Sequence, residues 1–397
     1  MDLVSWETSS SCRFTSNTSR RPSLGNFSPA LLSDEILNFC HSAPLQQAIM
    51  ELSVNGGPKM PCYSPMIGWR KKDGSVYIYG DLRNENWKTA PESLLSKGVN
   101  PYTDERIIIP CGKCTGCRLE YSKQWADRCY LEAKMWKANY WLTLTYDEEH
   151  IQHLLVPAVN KKTGEVIKVA SLYKKDLQDF MKRIRERWKR VHDNPNVRFY
   201  ACGEYGEKNH RPHFHVILFN FVIPDLELIA NKNGFAVFQS EEISKVWGMG
   251  NVTINRNSWL TAAYTARYMM KKRKGKWAKQ EYAEAGINPE FCLCSRKPGI
   301  GYGYYEAHKN EIYSKDGIAY AKAKGGAQTR KPPKYFDKLF KLENPDKFAE
   351  IQALRKEVAE HQFKYRLVGK TTLPRIEYYK IEEQVKQDTI KALRRTL

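Results

Sequence analysis

Apolar residues recur at helical spacing twice in the middle of the chain. Gly116–Asn139 sets Leu119, Trp125, Ala126, Cys129, Ala133 and Trp136 along one side. Leu172–Val191 aligns Leu177, Phe180, Met181, Ile184, Trp188 and Val191 in one stripe, leaving its basic residues opposite. Other stretches follow the alternation of strands: Tyr140–Tyr146, Val197–Gly203 and Pro212–Phe221, the last two joined by the polar loop 204–211. Ser240–Trp247 reads as a short helix and Gly250–Asn255 as a short strand. Asn257 or Ser258 is placed to cap a helix over Trp259–Lys274, which Gly275 ends. The order is strand, helix, strand, strand, helix, strand, helix. Two β-α-β units around a central hairpin predict an α+β fold of the split, ferredoxin-like (RRM-like) kind, with a central antiparallel sheet and a tyrosine-bearing helix after its last strand.

The flanks carry weaker patterns. Residues 1–30 hold eleven Ser/Thr without periodicity and read as a disordered tail, and Leu31–Leu52 is weakly helical. Met60 could serve as an alternative start. The expected organisation is an N-terminal extension (1–59), a Cys-rich region with a helix (60–139), a core (140–280), and a basic, partly helical C-terminal region (281–397). That last region contains a Gly- and Lys-rich stretch at 317–334 and a charged helix at 345–367. No repeat of 20–50 residues is evident.

Charge narrows the class. Across 397 residues, 64 Lys+Arg against 44 Asp+Glu leave a net charge of +20. Residues 1–59 hold four basic and five acidic residues, so the surplus lies in the remainder. It concentrates at 161–190, with eleven basic and four acidic residues, and at 267–279, with seven basic and none acidic. Interleaved with Trp, Tyr and Phe, such a surplus points to nucleic acid. A mean hydropathy of −0.62 and the lack of any long apolar run exclude a membrane-spanning chain. No secretory signal is visible, so the ten cysteines read as reduced thiols or metal ligands.

The sharpest chemistry lies in Arg211-Pro-His213-Phe-His215-Val-Ile-Leu-Phe219. Period two puts His213 and His215 on one face of a strand, a half-site for a divalent metal. The hairpin returns Glu204 toward them as third ligand, with Glu207 as runner-up. Two imidazoles and a carboxylate leave positions open, which suits Mg²⁺ or Mn²⁺ better than a closed tetrahedral zinc site. Core histidines are often merely hydrogen-bonded, but two at the mouth of the apolar run Val216–Phe219 require a polar reason.

Thr261-Ala-Ala-Tyr264-Thr-Ala-Arg-Tyr268-Met-Met-Lys271 places two phenols one helical turn apart, with Lys271 on the same face. Such spacing is more often packing. Beside a basic run and downstream of a metal strand, it suits two nucleophiles that act in turn. Cys111-x2-Cys114-x2-Cys117 has the spacing of a structural zinc site, the fourth ligand being Cys62 or Cys129, with Cys62 the better candidate.

His213-Phe-His215 followed by the Tyr264/Tyr268 helix with Lys271 resembles the HUH endonucleases that initiate rolling-circle replication. Trp141-Leu-Thr-Leu-Thr145 looks like the first motif of that superfamily. Met60-Pro-Cys-Tyr63, Pro110-Cys-Gly-Lys-Cys114, Cys117-Arg118, Gly203-Glu-Tyr-Gly206 and Ser295-Arg-Lys-Pro-Gly-Ile-Gly301 resemble replication initiators of microviruses, the gokushovirus group above all, over residues 60–305. The resemblance implies a five-stranded antiparallel sheet, a divalent metal on His213 and His215, nucleophilic Tyr264 and Tyr268, and Lys271 steadying transition-state charge. It implies nicking of single-stranded or supercoiled phage DNA in the bacterial cytoplasm, a 5′-phosphotyrosine link, and work with a host helicase and DNA polymerase. Thr143, Thr145, Lys272, Arg273, Lys274, Arg296 and Lys297 are the expected DNA contacts. Two other readings remain: a non-catalytic single-strand binder, and a relaxase or transposase on the same fold.

Overall fold

A computed structural model describes residues 62–81, 88, 92–159, 163–206, 209–232, 235–258, 261–263, 265–266, 280, 282–321, 326–367 and 371–392. Expectations for residues 1–59 lie outside them. Three short strands come first: β1 (Met66–Arg70), β2 (Val76–Asp81) and β3 (Glu105–Ile109), an antiparallel sheet in the order β2-β1-β3. Ile67 and Trp69 bury one face of it against Leu94 and Val99. Helix α1 (Thr115–Lys134) leads to strand β4 (Asn139–Thr145), the hairpin β5 (Leu155–Val159) and β6 (Val166–Ala170), and helix α2 (Lys174–Val191). Next come β7 (Arg198–Tyr205), β8 (Pro212–Phe219), β9 (Glu227–Lys232), β10 (Phe235–Gln239), helix α3 (Glu241–Trp247) and β11 (Val252–Arg256). After β12 (Phe291–Cys294) follow α4 (Tyr302–Ser314), the hairpin β13 (Ile318–Ala321) and β14 (Ala327–Arg330), α5 (Lys334–Glu343), α6 (Pro345–Leu367) and α7 (Arg375–Ala392).

The main sheet has seven strands in the order β12-β7-β8-β4-β11-β10-β9, each neighbour antiparallel. Its centre, β7-β8-β4-β11, has the order that two β-α-β units joined by a hairpin produce. The implied sheet of five strands is corrected to seven. Pairing of β12 onto β7 supplies the fifth, and the hairpin β9–β10 extends the opposite edge. Leu228 and Ile229 on that edge are exposed, so alternation against a core is absent there and no periodicity marks the strand. The Gly- and Lys-rich stretch 317–334 likewise holds the hairpin β13–β14 and the start of α5.

Alternation divides the sheet's side chains between two cores. Leu142, Leu144, Phe214, Val216, Leu218, Val252 and Ile254 face α2 and α3, where Leu177, Phe180, Met181, Ile184 and Trp188 meet them. Burying each such side chain contributes about 1.5–3 kcal/mol, which makes this stripe the main anchor of α2. The opposite face carries Trp141, Tyr200, Ile217 and Phe219, packed with Cys129 of α1, Ala262 and Ile300.

A buried ion pair ties this second layer down. Glu132 on α1 accepts a 2.6 Å bond from Arg198 Nε on β7 and, through its other oxygen, a 2.6 Å bond from the Gly301 amide. Arg198 Nη2 also reaches the carbonyls of Pro298 and Gly299, and Arg128 Nε that of Ile300. A Cβ at Gly299 would lie 2.5 Å from the Tyr335 hydroxyl, and Gly301 has φ +84°. The Ser295–Gly301 motif is thus a strap between β7, α1 and α5. We expect Glu132→Ala to strand a buried guanidinium and lower unfolding free energy by about 3–5 kcal/mol in urea titration. A loss under about 1 kcal/mol would contradict this.

Candidate metal centre and catalytic face

The residues singled out on β7 and β8 meet on the second face of the sheet. Register places Glu204 opposite His213 and Thr143 opposite His215, while Thr145 faces His213 from the other side. Glu204 Oε1 lies 2.9 Å from His213 Nε2 and 3.1 Å from His215 Nε2. The three ligand atoms all fall within 4.8 Å of one another. Glu204 is only 2% exposed. Burial alone would raise its pKa, but hydrogen bonds with His213 and then His215 outweigh it and bring the carboxyl down to about 2.

The remaining ring nitrogens determine what this triad suits. His213 Nδ1 lies 3.1 Å from the carbonyl oxygen of Arg211, which only accepts, so Nδ1 carries the proton. The Nε2 of the neutral ring is then a bare lone pair facing a carboxylate oxygen. Two acceptors at that distance require a cation between them, whether a proton or a metal. His215 Nδ1 is held at 3.0 Å by the Thr143 hydroxyl, and the indole of Trp141 stacks on its ring at 5.0 Å and 11°. The donor set of one carboxylate and two braced imidazoles therefore fits a divalent cation.

Trp141 also links this site to the next segment in sequence. Its Nε1 donates a 2.8 Å bond to Thr265 Oγ1. Residues 261–263 and 265–266 are helical, and Ser258 caps them by accepting from the Thr261 amide. Thr261, Ala262, Thr265 and Ala266 are all buried. Tyr264, Tyr268, Lys271, Lys272, Arg273, Lys274 and the alternative ligand Glu207 lie outside the described residues. Thr143 and Thr145, expected as DNA contacts, have their hydroxyls engaged with His215 Nδ1 and the Asn251 carbonyl. Arg296 and Lys297 are exposed beside the strap.

The cysteines form a second cluster. Sγ atoms of Cys62, Cys111, Cys114 and Cys117 lie within 4.8 Å of one another. Backbone amides point at the sulfurs: Cys111 to Cys62, Lys113 and Cys114 to Cys111, and Tyr63 and Cys117 to Cys114, at 3.2–3.4 Å. Cys114 also caps α1. Cys129, the other candidate fourth ligand, belongs instead to the buried layer beside Trp141 and Tyr200.

Sequence reasoning missed the bracing roles of Trp141, Thr143 and the Arg211 carbonyl. The signal was present in the alternation of Trp141, Thr143 and Thr145, which selects one face of β4 as surely as it does on β8.

Comparison with known proteins places the chain in context. The family model described as replication-associated protein ORF2 matches residues 139–273, from the start of β4 past Lys271. Replication-associated protein ORF2 of Spiroplasma virus 4 is 34% identical over 242 residues, 60% of this chain and 70% of that one. Replication-associated protein VP4 of Bdellovibrio phage phiMH2K is 32% identical over 264 residues, 64% and 76% of the two chains. Replication-associated protein ORF4 of Chlamydia phage 1 is 29% identical over 169 residues, 41% and 38%. No solved structure matches.

Proposed function

Because the chain belongs to the replication-associated proteins of phages, we propose that it initiates rolling-circle replication by nicking phage DNA as an HUH endonuclease. The observation that carries this reading is the pair of braced imidazoles converging on the buried Glu204 carboxylate. His213, His215 and Glu204 hold Mg²⁺ or Mn²⁺. When bound, that cation supplies Lewis-acid polarisation of the scissile phosphate.

The chain's own groups do the rest. The phenolic oxygen of Tyr264 or Tyr268 forms a bond to phosphorus, and the bond from phosphorus to the 3′ oxygen breaks. The phenol's proton is released and the departing 3′ oxygen gains one. The products are a 5′-phosphotyrosine and a free 3′-OH, from which the host polymerase extends. Lys271 offsets charge on the phosphate in the transition state. The second tyrosine repeats the attack at the end of a round, which makes the enzyme a strand transferase. The bond from Trp141 to Thr265 supports this assignment, since it fastens the residue next to Tyr264 to the ring stacked on His215. A non-catalytic binder would favour aromatic residues where β8 carries histidines.

The four clustered cysteines suit a structural zinc ion that joins the β1–β3 sheet to α1. Among the described residues, no helix is long and apolar enough to cross a membrane.

The test uses circular single-stranded DNA carrying the candidate origin, with Mg²⁺ or Mn²⁺. We expect a protein–DNA adduct that survives denaturing electrophoresis and disappears in the Tyr264→Phe, Tyr268→Phe double variant. DNA binding without any adduct would favour the binder.

A further inference from the structure

Away from the histidines, a cavity of about 520 Å³ opens between the first half of α1 and the start of α5. Its walls hold Arg118, Arg128 and Lys334 together with Tyr121, Trp125 and Tyr335. The guanidinium of Arg128 lies between two rings, 4.1 Å from the centroid of Trp125 and 4.0 Å from that of Tyr335. Arg118 is half-buried, and burial alone lowers its pKa; among the described residues no acid pairs with it. Glu120, the one acid in the lining, accepts a 2.8 Å bond from Gln124. A desolvated cation without a counter-charge is costly unless an anion completes it. Aromatic faces beside it favour a planar partner.

The cavity also belongs to the catalytic face. Trp125 stacks on Tyr200 at 5.0 Å, and Tyr200 shares its side of β7 with Glu204, four residues further on. At roughly 3.3 Å per strand residue that separation is about 13 Å.

We propose that this cleft binds a nucleotide of single-stranded DNA, Arg118 and Lys334 taking the phosphate while Tyr121 stacks on the base. The substrate class rests on the function proposed above; the site is separate from the residues that would perform the chemistry. A strand, not a free nucleotide, is the occupant, because the cleft is open on a chain of net charge +20.

Anisotropy of a labelled oligothymidine tests this with Arg118→Gln and Tyr121→Ala, singly and combined, in the full chain. Tyr121 is 44% exposed, and unchanged thermal melting would show that the fold persists. The combined variant is expected to bind on the order of tenfold or more weakly. Its log–log salt slope should shrink by about 0.7 for the lost phosphate contact. The adduct-forming rate at saturating DNA should be unchanged. Unaltered affinity and slope in the combined variant would overturn the proposal. So would displacement of the oligonucleotide by thymidine monophosphate that the substitutions abolish, since it would make a free nucleotide the occupant. If the unaltered protein forms no adduct, nicking fails as a reading while the affinity comparison still decides the cleft.

Discussion

Replacing His213 and His215 together by alanine is expected to slow nicking by on the order of a thousandfold while leaving the sheet intact. Both rings point away from the large core, toward Glu204, whereas Phe214, Val216 and Leu218 between and after them hold β8 in place. Lewis-acid stabilisation of a phosphoryl transition state is worth several kcal/mol, and each 1.36 kcal/mol is tenfold in rate. Single-strand affinity should fall far less, because the phosphate contacts expected of the basic surface are untouched. The measurement is single-turnover adduct formation beside anisotropy. Parallel losses in rate and affinity would mean that the histidines hold DNA or the fold, not a catalytic cation. Glu204→Gln sharpens the comparison, since it keeps the shape of a side chain 2% exposed and removes the charge both imidazoles face.

Loss of the cysteine site should have the largest effect on stability. Purified protein is expected to carry about one zinc per chain, and Cys114→Ser to lose it. Cys114 serves the cluster and also caps α1, so its removal releases both. Hydrogen bonds from Cys117 and Cys62, with those from the Cys117 and Tyr63 amides, hold the Cys114 thiol far below its ordinary range. As donor to Cys114, Cys62 is pushed up to about 11, and Cys117 is also raised. Metal uptake must therefore expel protons from Cys62 and Cys117, so affinity should fall as pH falls. Zinc binding in small domains is worth about 10–16 kcal/mol. Here Ile67, Trp69, Leu94 and Val99 keep a core of their own, and we expect a smaller loss, on the order of 5 kcal/mol. Metal analysis and denaturant melts check both statements. Full stability after zinc is stripped would contradict them.

Much of this was legible from the sequence where burial imposes a period. The stripe Leu177–Trp188 marked α2, and alternation in Pro212–Phe219 put both histidines on one face. The charged stretch 345–367 is the helix α6. What escaped depends on partners distant in the chain. Trp69 is buried in a sheet whose third strand starts 36 residues later, and its neighbours Val76 and Ile78 are exposed. The bond between Thr143 and His215 follows from a register between strands some 70 residues apart, which no local pattern encodes. Cys62 could be ranked above Cys129 from the sequence, but only the folded loop brings it among the other three sulfurs.

The most direct test of the account is to find the atom that carries the DNA. Origin-bearing circular single-stranded DNA would be nicked with Mn²⁺, the adduct digested with nuclease and trypsin, and the nucleotide-linked peptide sequenced by mass spectrometry. The account predicts a 5′-phosphate on Tyr264 or Tyr268, and no linked peptide when EDTA is present from the start. A nucleotide on any other residue, or an adduct indifferent to EDTA, would contradict it.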